Sequence, residues 1–403
     1  MNRTQIKIEN WTEYSFEEIF QELKVKNKSE EPFPVLSVTQ GNGIILQSDK
    51  YKKEIASEDK SGYKIAPLNS IIFNPNYLNF GAIGVQDKVE NGLVSSIYGV
   101  LELKRQDLID FNYLRHLIRS KFMIHEYNKY ANGSSKVVLT GELNGMHVRL
   151  AVSIQDFKKI KISFPTLKEQ QKIAQILSAV DEQIEKTEQL IEKSKELKEG
   201  LVQRLFIKGI NNSKFKKTEI GELPYDWKTY FVEEVATVST GNKDTQDKIT
   251  DGKFDFYVRS QKIEKIDSYS FEGEAILTAG DGVGVGKVFH YIPEGKFDFH
   301  QRVYKISNFK DVLGKYFFYY FSKNFIKQAR KFNAKTSVDS VRREMITKMI
   351  IPLPPIHEQK EIAEILSSAD EQIKAYEKEK EKQNELKKVL MQQLLTGKIR
   401  VTV

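Results

Sequence analysis

PTLKEQQKIAQILSAVDEQIEKTEQLIEKSKELKEGLVQRLFIKGI occupies residues 165–210, and PPIHEQKEIAEILSSADEQIKAYEKEKEKQNELKKVLMQQLLTGKI occupies residues 354–399. At a shift of 189 the two segments agree at 22 of 46 positions without a gap. Two unrelated polar helices could agree through composition alone. The shared core EQ-x-x-IA-x-ILS-x-x-DEQI is not periodic, however, and so marks an internal repeat.

Both copies predict long helices. Apolar residues recur at Ile173, Leu177, Val180 and Ile184, then at Ile191, Leu197, Leu201 and Leu205. The second copy offers Ile362, Leu366, Ala369, Ile373 and Tyr376, then Leu386, Leu390 and Leu394. This is near the alternating three- and four-residue spacing of a packing seam. Thr166 with Glu169 predicts a capping box, and Gly397 predicts a stop. About 35–40 helical residues would reach roughly 55 Å. The seam turns polar in its middle, at Thr187, Ser194, Lys380 and Gln383. The plain reading is a helical hairpin with a wet centre; the sharper one is a stretch that also meets partner proteins.

A second echo precedes each copy. Trp11, Tyr14, Glu17, Glu18 and Ile19 match Trp227, Tyr230, Glu233, Glu234 and Val235 at a shift of 216. Each half is therefore a Trp-led globular segment followed by a helix. The globular parts share little other sequence, which predicts one fold with divergent surfaces. GINNSKFKKTEIGELPYDW, residues 209–227, reads as a linker. Short β-rich runs such as YKIAPLNSIIF and EAILTAGDG, followed by helical stretches near 111–127 and 312–332, predict mixed α+β domains. The expected division is 1–164, 165–210, 211–353 and 354–403.

Composition narrows the chemistry. The chain has 403 residues, more than one core usually holds, and no cysteine. Disulfides, thiolate nucleophiles, iron–sulfur clusters and Cys-based zinc sites are excluded. No apolar run reaches the ~18–20 residues of a membrane span. The start MNRTQIKIENW has no signal-peptide core, so a cytoplasmic protein without a membrane partner is expected.

Several enzyme signatures come close and fail. AGDGVGVGK, residues 279–287, has alternate glycines but the spacing of neither phosphate-binding loop, and Val288 stands where a hydroxyl is needed. Such glycines more often let two backbones, or a backbone and a ligand, approach closely. Asn74-Pro75-Asn76-Tyr77 is one residue from the Asn-Pro-Pro-Tyr loop of amino-methyltransferases, but a β-turn explains it more simply. Glu294-Gly295-Lys296 has the E-x-K shape of a nuclease site and also makes a good turn. The six histidines never pair at i, i+4, so no metal site is expected. No catalytic residue is assigned.

Charge is more informative once located. The net +8 divides as +3 over residues 1–164 and +5 over 211–353, and both helical segments are neutral. Residues 101–164 carry 11 basic against 6 acidic side chains, and 301–353 carry 12 against 3. A single basic zone is usually a solvated face, but two at equivalent places in a repeat favour phosphate contact. Base readout needs guanidinium forks and amides. Loop-like segments supply Gln40, Asn42, Asn74, Asn76 and Asn79 in the first half, and Arg259, Gln261, Gln301, Arg302, Lys335 and Thr336 in the second. Lys136, Arg149, Lys243 and Lys287 complete the DNA-contact candidates. For any one of them an ordinary turn residue is the plainer reading; as two clusters they carry more weight.

FKKTEIGELPYDW, a variable domain, IIPLPPIHEQKEIAEILSSADEQI and a terminal QQLLTGKI together resemble the specificity subunits of type I restriction–modification systems. The resemblance covers the whole chain. It departs from the pattern at the N-terminus, which keeps only Trp11, and at Thr166, where proline is usual.

The resemblance implies an α+β protein with two mixed α/β target-recognition domains. Two long antiparallel helices, forming a coiled coil, would separate them in a pseudo-two-fold repeat. Each domain would read half of a bipartite target in the major groove of double-stranded DNA. The helices would set the spacer as a ruler and dock two methyltransferase subunits, and restriction subunits would join to cut unmodified DNA in host defence. The chain would be non-catalytic and bind no cofactor. S-adenosylmethionine would belong to the methyltransferase, and ATP and magnesium to the restriction subunit. The alternatives are a self-contained DNA-modification enzyme and a coiled-coil scaffold with no DNA role.

Overall fold

The structure, a computed structural model, describes residues 10–41, 43–50, 56–131, 151–332 and 340–402. The chain divides into two compact units, 1–187 with 379–403, and 188–378.

The described strands of the first unit are β1 (Thr12–Ser15), β2 (Phe20–Glu22), β3 (Leu36–Thr39), β4 (Gly43–Leu46), β5 (Lys64–Pro67), β6 (Ile71–Phe73), β7 (Ile83–Val85), β8 (Asn91–Val94), β9 (Gly99–Leu103) and β10 (Lys161–Phe164). Its helices are α1 (Phe16–Ile19), α2 (Gln47–Lys50), α3 (Phe111–Leu117), α4 (Lys121–Lys129), α5 (Ile154–Lys158) and the first part of α6 (Leu167–Lys208). The main sheet has the order β2-β9-β6-β7, with β5 on β8, β3 on β4 and β1 on β10. The core between sheet and helices is aromatic, with the Phe73 and Phe157 rings stacked at 4.6 Å. Burying each such ring stabilises the unit by roughly 2–3 kcal/mol.

The second unit carries β11 (Phe215–Thr218), β12 (Gly221–Pro224), β13 (Lys228–Phe231), β14 (Thr237–Thr240), β15 (Phe254–Tyr257), β16 (Ile263–Ile266), β17 (Phe271–Glu272), β18 (Ala275–Ala279), β19 (Phe289–Ile292), β20 (Lys296–Phe299), β21 (Val303–Ser307) and β22 (Ile350–Leu353). Its helices are α7 (Val232–Val235), α8 (Gly314–Lys331), α9 (Arg343–Thr347) and the first part of α10 (Ile356–Leu394). The main sheet runs β14-β21-β18-β19, and the second sheet runs β16-β15-β20-β17.

The two units share one topology. β2-β9-β6-β7 and β14-β21-β18-β19 join strands of the same rank in the same order. β1 on β10 answers β13 on β22. The parallel bridge between Val35 and Leu93 answers the parallel pairing of β15 with β20. One fold with divergent surfaces, as the sequence implied, is what the backbone shows.

Two local expectations change. The helix expected over 111–127 is two helices, because Ser120 accepts a hydrogen bond from the Met123 amide at 3.1 Å and starts a new one. The segment expected as a linker is folded. Phe215–Thr218 and Gly221–Pro224 form a hairpin, and Trp227 is fully buried.

The helices α6 and α10 pack antiparallel. In the first unit Ile173 and Leu177 meet Leu390 and Leu394; in the second, Val202 and Leu205 share a core with Ile362 and Leu366. The seam also takes in Val180, Ile184, Leu201, Ala369 and Ile373, all buried or half-buried. Leu197 and Leu386 do not belong to it, being 62% and 52% exposed. The seam passes one residue later, through Lys198 and Lys387, whose side chains are 27% and 31% exposed. Each lysine lays its aliphatic stem in the seam and reaches an aspartate on the other helix. At the start of α6 the Thr166 hydroxyl accepts from the Glu169 amide at 3.4 Å, but the Glu169 carboxylate takes Arg400 instead of closing the expected box. Gly397 follows α10 in the left-handed region at φ 68°, as a helix stop requires.

The non-periodic core of the repeat now has a physical explanation. Gln170 accepts from the Asp110 amide at 2.9 Å and donates to the carbonyls of Leu108 and Pro165. Gln359 does the same with Leu313, Asp311 and Pro354. Each glutamine thereby locks the start of α3 or α8 to the start of the long helix that follows it. Ser178 and Asp181 face His116 of α3 at 3.2 and 3.8 Å, while Ser367 and Asp370 receive Lys315 and Tyr319 of α8 at 2.6 and 2.8 Å. The repeated polar residues are the joints between each α+β fold and the long helix that follows it.

Candidate nucleic-acid interface

Four chain segments of the second unit meet at one surface. Gly241, Gly280 and Gly284 let them nest. A Cβ at these positions would lie 1.9 Å from the Phe299 carbonyl, 2.9 Å from the Arg302 carbonyl and 2.3 Å from the Arg259 carbonyl. Of the alternate glycines of residues 280–286, Gly280 and Gly284 thus serve close backbone approach, while Gly282 faces open space and Gly286 packs on the Ile326 side chain. The expected turn at Glu294–Lys296 is also present, with Gly295 at φ 127°.

Two carboxylates organise the side chains that emerge there. Asp281 accepts from Arg259 Nη1 at 2.9 Å and lies 3.7 Å from Arg302 Nε. Asp244 accepts from Gln301 Nε2 at 2.8 Å and lies 3.9 Å from His300 Nε2. The Gln301 amide donates to the Lys243 carbonyl at 2.8 Å, and Gln261 Nε2 donates to the Lys287 carbonyl at 3.0 Å. The structure therefore brings Lys243, Arg259, Gln261, Lys287, Gln301 and Arg302 together. Burial, and next the Arg259 guanidinium, holds the His300 imidazole below its ordinary pKa. A neutral ring fits its partners, because Nδ1 accepts from the Arg302 amide at 2.9 Å.

The first unit is less uniform. Gln40 is exposed, and its carbonyl lies 4.0 Å from a Cβ built on Gly81, so its loop adjoins the segment that follows β6. Asn74 and Asn79 are buried, with 8% and 5% exposure. Asn74 Oδ1 accepts from the half-buried Asn76 amide at 3.1 Å, and the Tyr77 amide donates to the Asn74 carbonyl at 3.1 Å. Asn74 thus builds an Asx turn and Asn79 is turned inward, so neither presents an amide to a groove. Asn42, Lys136, Arg149, Lys335 and Thr336 lie outside the described residues.

The basic zones are also narrower than charge counting implies. In the first, Arg105 pairs with Asp107, Arg115 with Asp87, Lys129 with Glu126 and Lys159 with Asp156. In the second, Lys323 pairs with Glu199 and Lys348 with Glu233, while Lys315 bonds to Ser367. Asp244, Asp281 and Arg119, which bonds to the Gly41 carbonyl, escaped the sequence reading. Gly241 near Asp244, and Gly280 and Gly282 around Asp281, hinted at the two carboxylates, since close backbone approach implies a fixed loop; no glycine neighbours Arg119 in the sequence.

A twice-repeated α+β unit on paired long helices, with polar side chains collected on a loop surface, defines a class of two-domain recognition proteins. A family model described as the type I restriction modification DNA specificity domain matches residues 8–196 and 224–388. The chain belongs to that family, as a specificity subunit with two target-recognition domains. It is 32% identical to the MjaVIII type I restriction enzyme specificity subunit of Methanocaldococcus jannaschii, over 61% of this chain and 63% of that one. It is 27% identical to the putative MjaX specificity subunit of the same organism, over 93% of this chain and 89% of that one. The chain thus spans just under two thirds of the first relative and most of the second. Its fold is similar to that of the type I S subunit from M. genitalium, at a TM-score of 0.58, 16% identity and 98% coverage of both chains.

Proposed function

We propose that this chain supplies DNA sequence specificity to a type I restriction–modification complex and is itself non-catalytic. Each unit reads one half of a bipartite target in the major groove of double-stranded DNA. The paired helices set the unread spacer and dock two methyltransferase subunits, to which restriction subunits add. S-adenosylmethionine is bound by the methyltransferase, and ATP and magnesium by the restriction subunit. The observation that carries this reading is the surface where Asp281 and Asp244 hold Arg259, Arg302 and Gln301 ready for base edges, in one of two folds of identical topology.

The test is a domain exchange. Residues 228–353 are replaced by the corresponding segment of another family member, and the chain is expressed with its methyltransferase. One half of the methylated motif should change while the other half and the spacer stay. A change in both halves, or in neither, overturns the reading.

A further inference from the structure

The connection from β6 to β7 in the first unit and that from β18 to β19 in the second occupy the same place in the shared topology. Each holds a single 3₁₀ turn, Leu78–Phe80 and Gly282–Gly284. A glycine pins each against a helix. A Cβ on Gly81 would lie 3.0 Å from Ile124 of α4, and one on Gly286 would lie 2.7 Å from Ile326 of α8; both glycines have positive φ. The two segments share no sequence pattern. Yet each presents apolar side chains outward: Val283 is 92% exposed, and Tyr77 and Phe80 are 39% and 48% exposed.

A valine between two glycines at the tip of a pinned loop does nothing for the core. Guanidinium and amide groups are held beside its loop: Asp281, two residues before it, takes Arg259 and lies 3.7 Å from Arg302, and Gln261 Nε2 donates to the Lys287 carbonyl. Base edges are read by that mixture of guanidinium forks, amides and small apolar surfaces, the last against the thymine methyl group. We propose that Val283 in the second unit, and Tyr77 with Phe80 in the first, are specificity-determining residues that lay apolar surface against the C5 methyl group of thymine. This inference rests on the DNA-reading function proposed above and names the apolar part of the contact.

The test uses the chain assembled with its methyltransferase subunits, and duplexes carrying the motif it methylates. Each thymine is replaced in turn by deoxyuridine, which removes only the methyl group. Binding should weaken about fourfold at one position of the second unit's half-site, the worth of one buried methyl group. The V283A variant should lose that sensitivity, keep the rest of the motif and accept cytosine in place of thymine there. The Y77A/F80A variant should relax only the other half-site. Insensitivity of the unaltered protein to every deoxyuridine overturns the inference. So does a V283A variant that methylates all sites less with an unchanged motif, which would mark a protein-docking residue. A wild-type complex that methylates no motif would instead remove the DNA-reading function itself.

Discussion

Lys198 of α6 is ion-paired with Asp370 of α10. The repeat duplicates the relationship, with Lys387 on Asp181 at 2.5 Å. Each aspartate also faces its recognition fold, Asp370 through the Tyr319 hydroxyl at 2.8 Å and Asp181 through His116 at 3.8 Å. A charge pair in the seam fixes register, because a slipped pairing leaves both charges half-buried and unmatched. Reversing one member, in K198D, should lower stability by roughly 1–2 kcal/mol, and K198D/D370K should recover most of the loss. Denaturant unfolding of the two single variants and the double variant measures the coupling. Additive losses would show that the pair fixes nothing.

Glu358 lies 7% exposed and accepts three hydrogen bonds: from Trp227 Nε1 at 2.9 Å, the Ile210 amide at 2.7 Å and Asn212 Nδ2 at 2.8 Å. It ties the end of α6 and the following hairpin to the start of α10. Removing it in E358A strands an indole N–H and a backbone N–H, at a cost of roughly 3 kcal/mol. E358Q, which keeps an acceptor oxygen, should cost distinctly less. Urea midpoints of the two variants compare them directly, and equal losses would show that packing, not hydrogen bonding, is what the residue supplies.

Acid should weaken the first unit through His116. Burial pushes its imidazole down to about 4; Asp181 opposes the shift, and Lys387 and Arg115 add to it. An unfolded histidine titrates near ~6.5, so between those values the unfolded chain binds a proton that the fold refuses. The contribution is complete above pH 6.5 and is lost as pH falls towards 4, by roughly 2–3 kcal/mol. In H116N the decline over that window should flatten by a comparable amount. A parallel pH profile for the variant would place the titrating group elsewhere.

The repeat, the paired helices and the α+β class were legible because they rest on periodicity and on positions that recur at a fixed shift. The seam was misplaced where it was carried by lysine stems. Leu197 looked like the apolar residue, but Lys198 has the correct phase and a carboxylate to meet. Asn74 and Asn79 illustrate the opposite limit. An amide that builds a turn and an amide that reads a base are identical in sequence, and only burial separates them. The cluster in the second unit was legible as residue types. Its organisation was not, because Asp244 and Asp281 work through partners 57 and 22 residues away.

Two-part DNA reading is tested most directly by a genome-wide map of methylated bases in a host carrying this chain with its methyltransferase. Two target-recognition domains on paired helices predict a two-part methylated motif with an unread gap. A host genome with no methylation beyond that of cells lacking the chain, or a single continuous motif without a gap, would contradict it.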